Sequence, residues 1–249
     1  MFNPEAHEPD PLKLEHLAEG IRPITACVGT TKEYIEEIAT LKDIENVGHH
    51  SDYNESPRIL NEHGFKADDI NRGFPTYVIS PIDGKPKFTK GLFDCTSLVV
   101  VGRENGTEKE LSFLTHQDPK HILSKQKDKF ETDLKKTLND FKERCLLGSI
   151  DVVIAGGKLL DNRPGNYEGS LEILSSVVQE TFGFEPLAIC GPKEPQSGTD
   201  DVYFDTKNRR LFIIRPSGSN FPFGGDGKPH NDVFKPSQVN DKMKEWGKK

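Results

Sequence analysis

The sequence contains no long apolar run, so no segment offers the roughly 20 consecutive apolar residues of a membrane-spanning helix. Its first residues also lack the basic and apolar regions of a secretory signal, and we therefore expect a cytoplasmic protein. Basic residues are in the minority, since the net charge is −7. This balance argues against a nucleic-acid partner, which would need a basic face.

Cysteine is scarce as well, and its spacing excludes two common site types. None of the four cysteines belongs to a C-x-x-C pair, which argues against a zinc site and against a dense disulfide framework. We therefore expect reduced thiols. The four positions are Cys27, Cys95, Cys145 and Cys190.

One polar cluster has the residue types of a metal site. His49, His50 and Asp52 stand together, but no further ligands follow at a fixed spacing. The pattern favours a solvated loop, and we expect neither a metal nor another cofactor.

The order of strand and helix patterns predicts an α/β fold. Between residues 74 and 216, strand patterns and a hairpin are followed by a helix, a strand, a second helix, a strand and a final hairpin. This order favours an α/β sandwich around a mixed, mainly antiparallel sheet. Residues 1–73 are predicted to form an N-terminal helical extension and residues 217–249 an irregular tail, within what we expect to be one compact domain.

A predicted hairpin brings a cysteine towards a histidine. The run C-T-S-L-V-V-V-G reads as a buried strand that begins at Cys95, and E-L-S-F-L-T-H reads as the returning strand that ends at His116. The Asn105-Gly106 pair between them is a strong turn signal. Because a hairpin folds its outer ends together, the thiol and the imidazole are predicted to meet at one sheet edge.

These residue types suit nucleophilic catalysis. A thiol attacks as a thiolate and needs a nearby base, which His116 can supply. Thr89, six residues before Cys95, can orient the imidazole, and the backbone amides of Cys95 and Thr96 are weaker candidates for an oxyanion site. The alternative is that Cys95 only packs, as buried cysteines often do. Its position at the mouth of the strand favours the catalytic interpretation.

The motif L-F-D-C-T-S resembles the L-S-G-C-T motif of bacterial toxin deamidases, namely the cytotoxic necrotizing factor catalytic domains and the Burkholderia lethal factor. The order of Thr89, Cys95 and His116 is similar to that in the chemoreceptor glutamine deamidase CheD. The later D-V-V-I-A-G-G run and the final hairpin around T-K-N-R extend the resemblance over about residues 74–216. Phe93 and Asp94 depart from the Ser-Gly of the toxin motif.

The resemblance implies a cysteine-dependent protein glutamine deamidase with no cofactor. In this interpretation Cys95 is the nucleophile, His116 the base and then the acid, and Thr89 the residue that orients the histidine. It also implies a protein substrate that carries Gln or Asn, and a toxin or virulence effector that is cytoplasmic or is delivered into a host cell without a classical signal peptide.

Two alternatives stay open at this point. His116 is followed by Gln-Asp-Pro, which resembles the eukaryotic N-terminal asparagine amidohydrolase and suggests that activity instead. The same scaffold can also serve as an inactive protein-binding module. Because an amine can replace water at a thioester, the residues do not separate deamidation from transglutamination.

Overall fold

The computed structural model describes residues 15–47, 77–92, 94–124, 126–157, 164–191, 200–215 and 233–238, together with Asp241. The predicted His49, His50 and Asp52 cluster and residues 48–73 of the predicted helical extension lie outside these ranges. Within them the chain forms an α/β fold with two mixed sheets, which confirms the general α/β class that was predicted.

The first sheet, sheet A, takes its strands from both ends of the chain. In chain order they are β1 (Thr25–Gly29), β2 (Glu45–Asn46), β4 (Lys87–Leu92), β9 (Asp200–Asp205) and β10 (Arg210–Ile214). Their order in space is β1-β10-β9-β4-β2. β1 runs parallel to β10 and β2 parallel to β4, whereas β9 is antiparallel to both of its neighbours.

The second sheet, sheet B, contains the predicted hairpin. In chain order its strands are β3 (Tyr77–Ile79), β5 (Thr96–Arg103), β6 (Glu110–Gln117), β7 (Asp151–Gly156), β8 (Leu187–Cys190) and β11 (Val233–Phe234). Their order in space is β11-β8-β7-β5-β6-β3. The hairpin of β5 and β6 lies inside the sheet, and β7 is antiparallel to β5 on its other side.

Helices cover one face of sheet B and part of sheet A. They are α1 (Thr31–Ala39), α2 (Pro119–Ser124), α3 (Lys127–Arg144) and α4 (Pro164–Phe182). The single helix predicted between the hairpin and the next strand is thus two helices, α2 and α3, because residues 124–129 are all polar and offer no apolar side chain to bury. Pro119 suits the first turn of α2, where its missing N–H would have no partner.

Sheet B lies between two apolar layers, because successive side chains along each strand point to opposite faces of the sheet. Leu98, Val100 and Phe113 pack with the helices on one side. Val99, Val101 and Leu114 face the other side and pack against apolar residues of sheet A. β5 and β7 are therefore buried on both faces, as their continuous apolar sequences predict.

The predicted single sheet is corrected to two sheets, because β4, β9 and β10 pair with one another and not with the hairpin of β5 and β6. Residues near both ends of the chain extend these sheets. Residues 25–29 of the predicted N-terminal extension form β1 beside β10, and this strand contains Cys27. Residues 45–46 form the opposite edge of sheet A. In the predicted irregular tail, Val233 and Phe234 pair with β8. These pairings join residues far apart in sequence, so local patterns do not show them.

Candidate active site

Thr89 and His116 form a hydrogen bond across the layer between the two sheets. Thr89 lies in β4 of sheet A, and its side chain is fully buried. Its Oγ1 is 2.8 Å from Nδ1 of His116 in β6 of sheet B. The structure therefore brings Thr89 and His116 together, and the contact comes from the facing sheet.

The hydrogen bond shows which face of sheet B His116 occupies. Leu114, two residues earlier in β6, packs in the layer between the sheets, and strand alternation puts His116 on the same face. Leu111 and Phe113 pack on the helix side. This alternation is the one that the sequence predicts for the returning strand.

Cys95 lies on the face that His116 occupies. It packs in the inter-sheet layer, and so does Val99 of β5. Its carbonyl oxygen accepts a hydrogen bond from Gly157 N at 2.9 Å, which continues the β5–β7 ladder by one residue beyond Thr96–Gly156. The pairing of Thr96 with Gln117 then makes Cys95 and His116 diagonal neighbours. Such neighbours are typically about 7–8 Å apart, within reach of long side chains.

The thiol of Cys95 is protonated at rest. Burial raises its pKa well above the usual range, and the carboxylates of Asp118 and then Asp94 raise it further, while the Cys95 backbone amide lowers it. Cys95 is only 5% exposed. Nucleophilic attack from this residue consequently needs a base that accepts the proton as the new bond forms.

The contacts of Thr89 bear on which ring nitrogen of His116 carries the proton. The Thr89 hydroxyl lies 3.3 Å from the carbonyl oxygen of Val47, which can only accept, and 2.8 Å from Nδ1 of His116. When the hydroxyl donates to Val47, it accepts from Nδ1–H of His116, and Nε2 is the basic ring nitrogen. Val47 contributes its backbone carbonyl oxygen, and its side-chain type therefore gave no sequence signal for this contact.

Two glycines at the end of β7 form a wall beside Cys95. Gly156 and Gly157 have φ angles of +87° and +77°, a region that side chains rarely adopt. A Cβ atom on Gly156 would lie 2.9 Å from the carbonyl oxygen of Cys95. One on Gly157 would lie 2.2 Å from the ring of Tyr167 in α4. The close approach predicted for the Gly-Gly end is therefore made by the backbone at Cys95.

Behind the site, a polar network on the helix side fixes the ends of β5 and β6. Thr96 Oγ1 is 2.9 Å from Ser170 Oγ and accepts from Gln117 Nε2 at 2.9 Å. Gln117 Oε1 in turn accepts from Thr115 Oγ1 at 2.6 Å. This network ties together the backbone positions next to Cys95 and His116, and it gave no sequence signal because Ser170 lies 74 residues from Thr96.

The candidate oxyanion groups are the backbone amides of Cys95 and Thr96. The Cys95 backbone N–H forms a hydrogen bond with the sulfur of its own residue, which lowers the pKa of the thiol. The Thr96 side chain points to the helix side, so only its backbone can serve the site. The two amides stay candidates on position alone.

Comparisons with protein-family models and with curated proteins found no match to the chain. Within the described ranges, no group of three or more His, Cys, Asp and Glu side chains has an arrangement that could hold a metal ion. No helix among the described residues is long and apolar enough to cross a membrane.

Proposed function

We propose that this protein is a cysteine-dependent amidohydrolase that deamidates a glutamine side chain of a target protein. The observation that carries the proposal is the buried hydrogen bond between Thr89 and His116, made on the sheet face that also holds Cys95. An imidazole that is held by a hydrogen bond on the same sheet face as a thiol is suited to take the thiol proton as the thiol attacks, which thiol acyl transfer requires.

In the first half of the reaction, Sγ of Cys95 attacks the carbonyl carbon of the substrate amide while its proton passes to Nε2 of His116. The resulting imidazolium is stabilised by its hydrogen bond to Thr89. His116 then returns the proton to the amide nitrogen, the carbon–nitrogen bond breaks and ammonia leaves. The acyl group remains on Cys95 as a thioester.

In the second half, His116 takes a proton from water, and the oxygen of that water attacks the thioester carbonyl. The carbon–sulfur bond breaks, and the sulfur recovers a proton from His116. The product is a glutamate side chain. An amine that enters in place of water would instead give transglutamination, so the yield of acid measures which reaction dominates.

The test is an assay of peptides that carry one internal Gln, one internal Asn or one N-terminal Asn. We expect release of ammonia and a mass increase of about 1 Da, since an OH group replaces the NH₂ group of the amide. Cys95→Ala should abolish both signals. Cys145→Ala is the matched control, because that cysteine is also buried but packs on the helix side of sheet B.

Two results would reject the proposal. One is unchanged deamidation by the Cys95→Ala protein. The other is the absence of any mass change when the protein is incubated with the peptides and with extracts of whole cells. Hydrolysis restricted to the N-terminal Asn peptide would move the assignment to the N-terminal asparagine amidohydrolase alternative.

A further inference from the structure

Ser97 carries a buried hydroxyl that has no hydrogen-bond partner among the residues the structure describes. The residue is 0% exposed. Buried hydroxyl groups almost always find a partner, so an unsatisfied one next to a candidate catalytic pair calls for a ligand. Other buried serines and threonines of the same region, such as Ser112 and Thr96, are bonded.

The register of sheet B puts Ser97 directly opposite His116. β5 and β6 pair at Thr96–Gln117 and again, in the same register, at Val99–Leu114. Ser97 shares the inter-sheet face with Val99, which is the face that His116 uses to reach Thr89.

The ladder between β5 and β6 is interrupted at this point. The pairing passes from Thr96–Gln117 to Val99–Leu114, and in the gap Leu98 N donates to the hydroxyl of Thr115 at 2.8 Å. A side chain thus takes the place of a backbone acceptor beside Ser97 and His116. The two strands are joined less regularly there than elsewhere along the hairpin.

We propose that Ser97 and His116 together form the subsite for the amide nitrogen of the substrate, an inference that rests on the proposed function. His116 must lie beside that nitrogen, because it protonates the leaving group. A hydroxyl next to His116 is placed to accept a hydrogen bond from the NH₂ group and so to hold the amide in the orientation that presents its carbonyl carbon to Cys95.

The same subsite serves the second half of the reaction. By microscopic reversibility, the water that hydrolyses the thioester enters where ammonia leaves, and His116 deprotonates it there. Ser97 then accepts one hydrogen of that water while His116 takes the other, so the oxygen lone pair points at the thioester. Ser97 therefore binds the primary amide and the water in turn.

The principal test is Ser97→Ala, assayed with whichever Gln or Asn peptide the wild-type protein hydrolyses. We expect steady-state turnover to fall by about 10- to 100-fold, since a misplaced reactant costs rates of this order. The melting temperature should stay the same or rise, because the substitution removes a hydroxyl that forms no bond among the described residues.

The matched control is Ser112→Ala. Ser112 is as buried as Ser97 and lies on the same face of β6 as His116, four residues away. Its hydroxyl, however, is hydrogen-bonded to Thr206 Oγ1 at 2.7 Å. The Ser112→Ala protein should have a lower melting temperature and unchanged turnover. The inference is wrong if Ser97→Ala leaves turnover unchanged, or if it lowers turnover and melting temperature together.

A crystal structure of the Cys95→Ala protein soaked with acetamide tests the subsite without any turnover. We expect the acetamide nitrogen within hydrogen-bond distance of Ser97 Oγ and beside His116. A Ser97 hydroxyl bonded to another protein group, or a subsite without acetamide, would overturn the inference. If no peptide is hydrolysed but acetamide binds in this way, the subsite stands and the proposed function fails.

Discussion

The hydroxyl of Thr89 and Nδ1 of His116 lie 2.8 Å apart although the two residues belong to different sheets. The hydrogen bond therefore depends on how sheet A packs on sheet B, and it is buried from water. A contact of this kind holds a ring in one orientation and one tautomer, which is the task of the third member of a catalytic set.

Thr89→Val tests that role, because valine keeps the shape of threonine and removes the hydroxyl. We expect turnover of the peptide substrate to fall by about 100-fold, since the imidazole loses its fixed orientation. Thr89→Ser keeps the hydroxyl and should retain most of the activity. Nitrogen NMR of the imidazole should show Nδ1–H in the wild-type protein and a mixture of tautomers in Thr89→Val. Equal turnover in the valine and serine variants would contradict the assigned role.

Strand alternation predicted the faces of the hairpin correctly because both strands are long and their apolar residues leave little choice of register. Leu111 and Phe113 lie on the opposite face from Leu114, as alternation predicts, and the structure shows that the first two pack on the helix side and Leu114 between the sheets. Once the hairpin turn at Asn105-Gly106 is recognised, the faces of Cys95 and His116 follow from local sequence alone.

The position of Thr89 could be predicted only in part. Its position six residues before Cys95 suggested an orienting role through the resemblance to the chemoreceptor deamidase, but the strand that carries it pairs with β9, more than 100 residues later in the chain. Val47 left no signal because its carbonyl, and not its side chain, contacts Thr89. Long-range pairings and backbone acceptors are set by tertiary packing, so a single sequence does not reveal them.

Gly157→Ala is expected to destabilise the protein through two separate effects. The φ of +77° strains an alanine, and the new Cβ would lie 2.2 Å from the Tyr167 ring. Together, the backbone strain and the overlap with Tyr167 should lower the free energy of unfolding by about 2–4 kcal/mol, measured by urea denaturation.

Gly183→Ala is the matched control for Gly157→Ala. Gly183 has a similar φ of +84°, but a Cβ added there would meet no atom within 4 Å, so only the backbone strain of about 1–2 kcal/mol applies. Equal losses for the two variants would show that the Tyr167 contact relaxes at no cost.

The buried thiols should make the stability depend on alkaline pH. Burial raises the pKa of Cys95, with help from Asp118 and Asp94, and burial raises the pKa of Cys145 to about 12. An unfolded thiol ionises near pH 8.5, so above that pH the native state holds more protons than the unfolded state. The stabilisation is complete below about pH 8.5 and is lost as the pH rises, by up to about 1.4 kcal/mol per pH unit for each thiol.

The measurement is the free energy of unfolding between about pH 8 and pH 10 for the wild-type protein and for Cys95→Ala and Cys145→Ala. Each alanine variant should show a shallower decline with pH. Val99→Ala, a buried non-titrating control on the face of Cys95, should be less stable at every pH but decline as steeply as the wild type. A cysteine variant with the wild-type slope would contradict the raised pKa of that thiol.

Asp151→Ala is expected to loosen the described N-terminal segment from the core. The buried carboxylate of Asp151 accepts hydrogen bonds from Ile24 N at 2.6 Å and from Val152 N at 2.9 Å. Nε2 of His16 lies 3.4 Å from the same carboxylate. Because Ile24 immediately precedes β1, these contacts position the first strand of sheet A.

Loss of these two bonds should lower the free energy of unfolding by about 3 kcal/mol or more, since hydrogen bonds to a charged group contribute about 1.5–3 kcal/mol each. Hydrogen exchange should also speed up in Thr25–Gly29 more than in β5. Asp205→Ala is the control, because its bonds to Asn208 lie in an exposed turn, and it should cost less than about 1 kcal/mol. Slow exchange retained in Thr25–Gly29 of the Asp151→Ala protein would show that the pairing with β10 alone holds this strand in place.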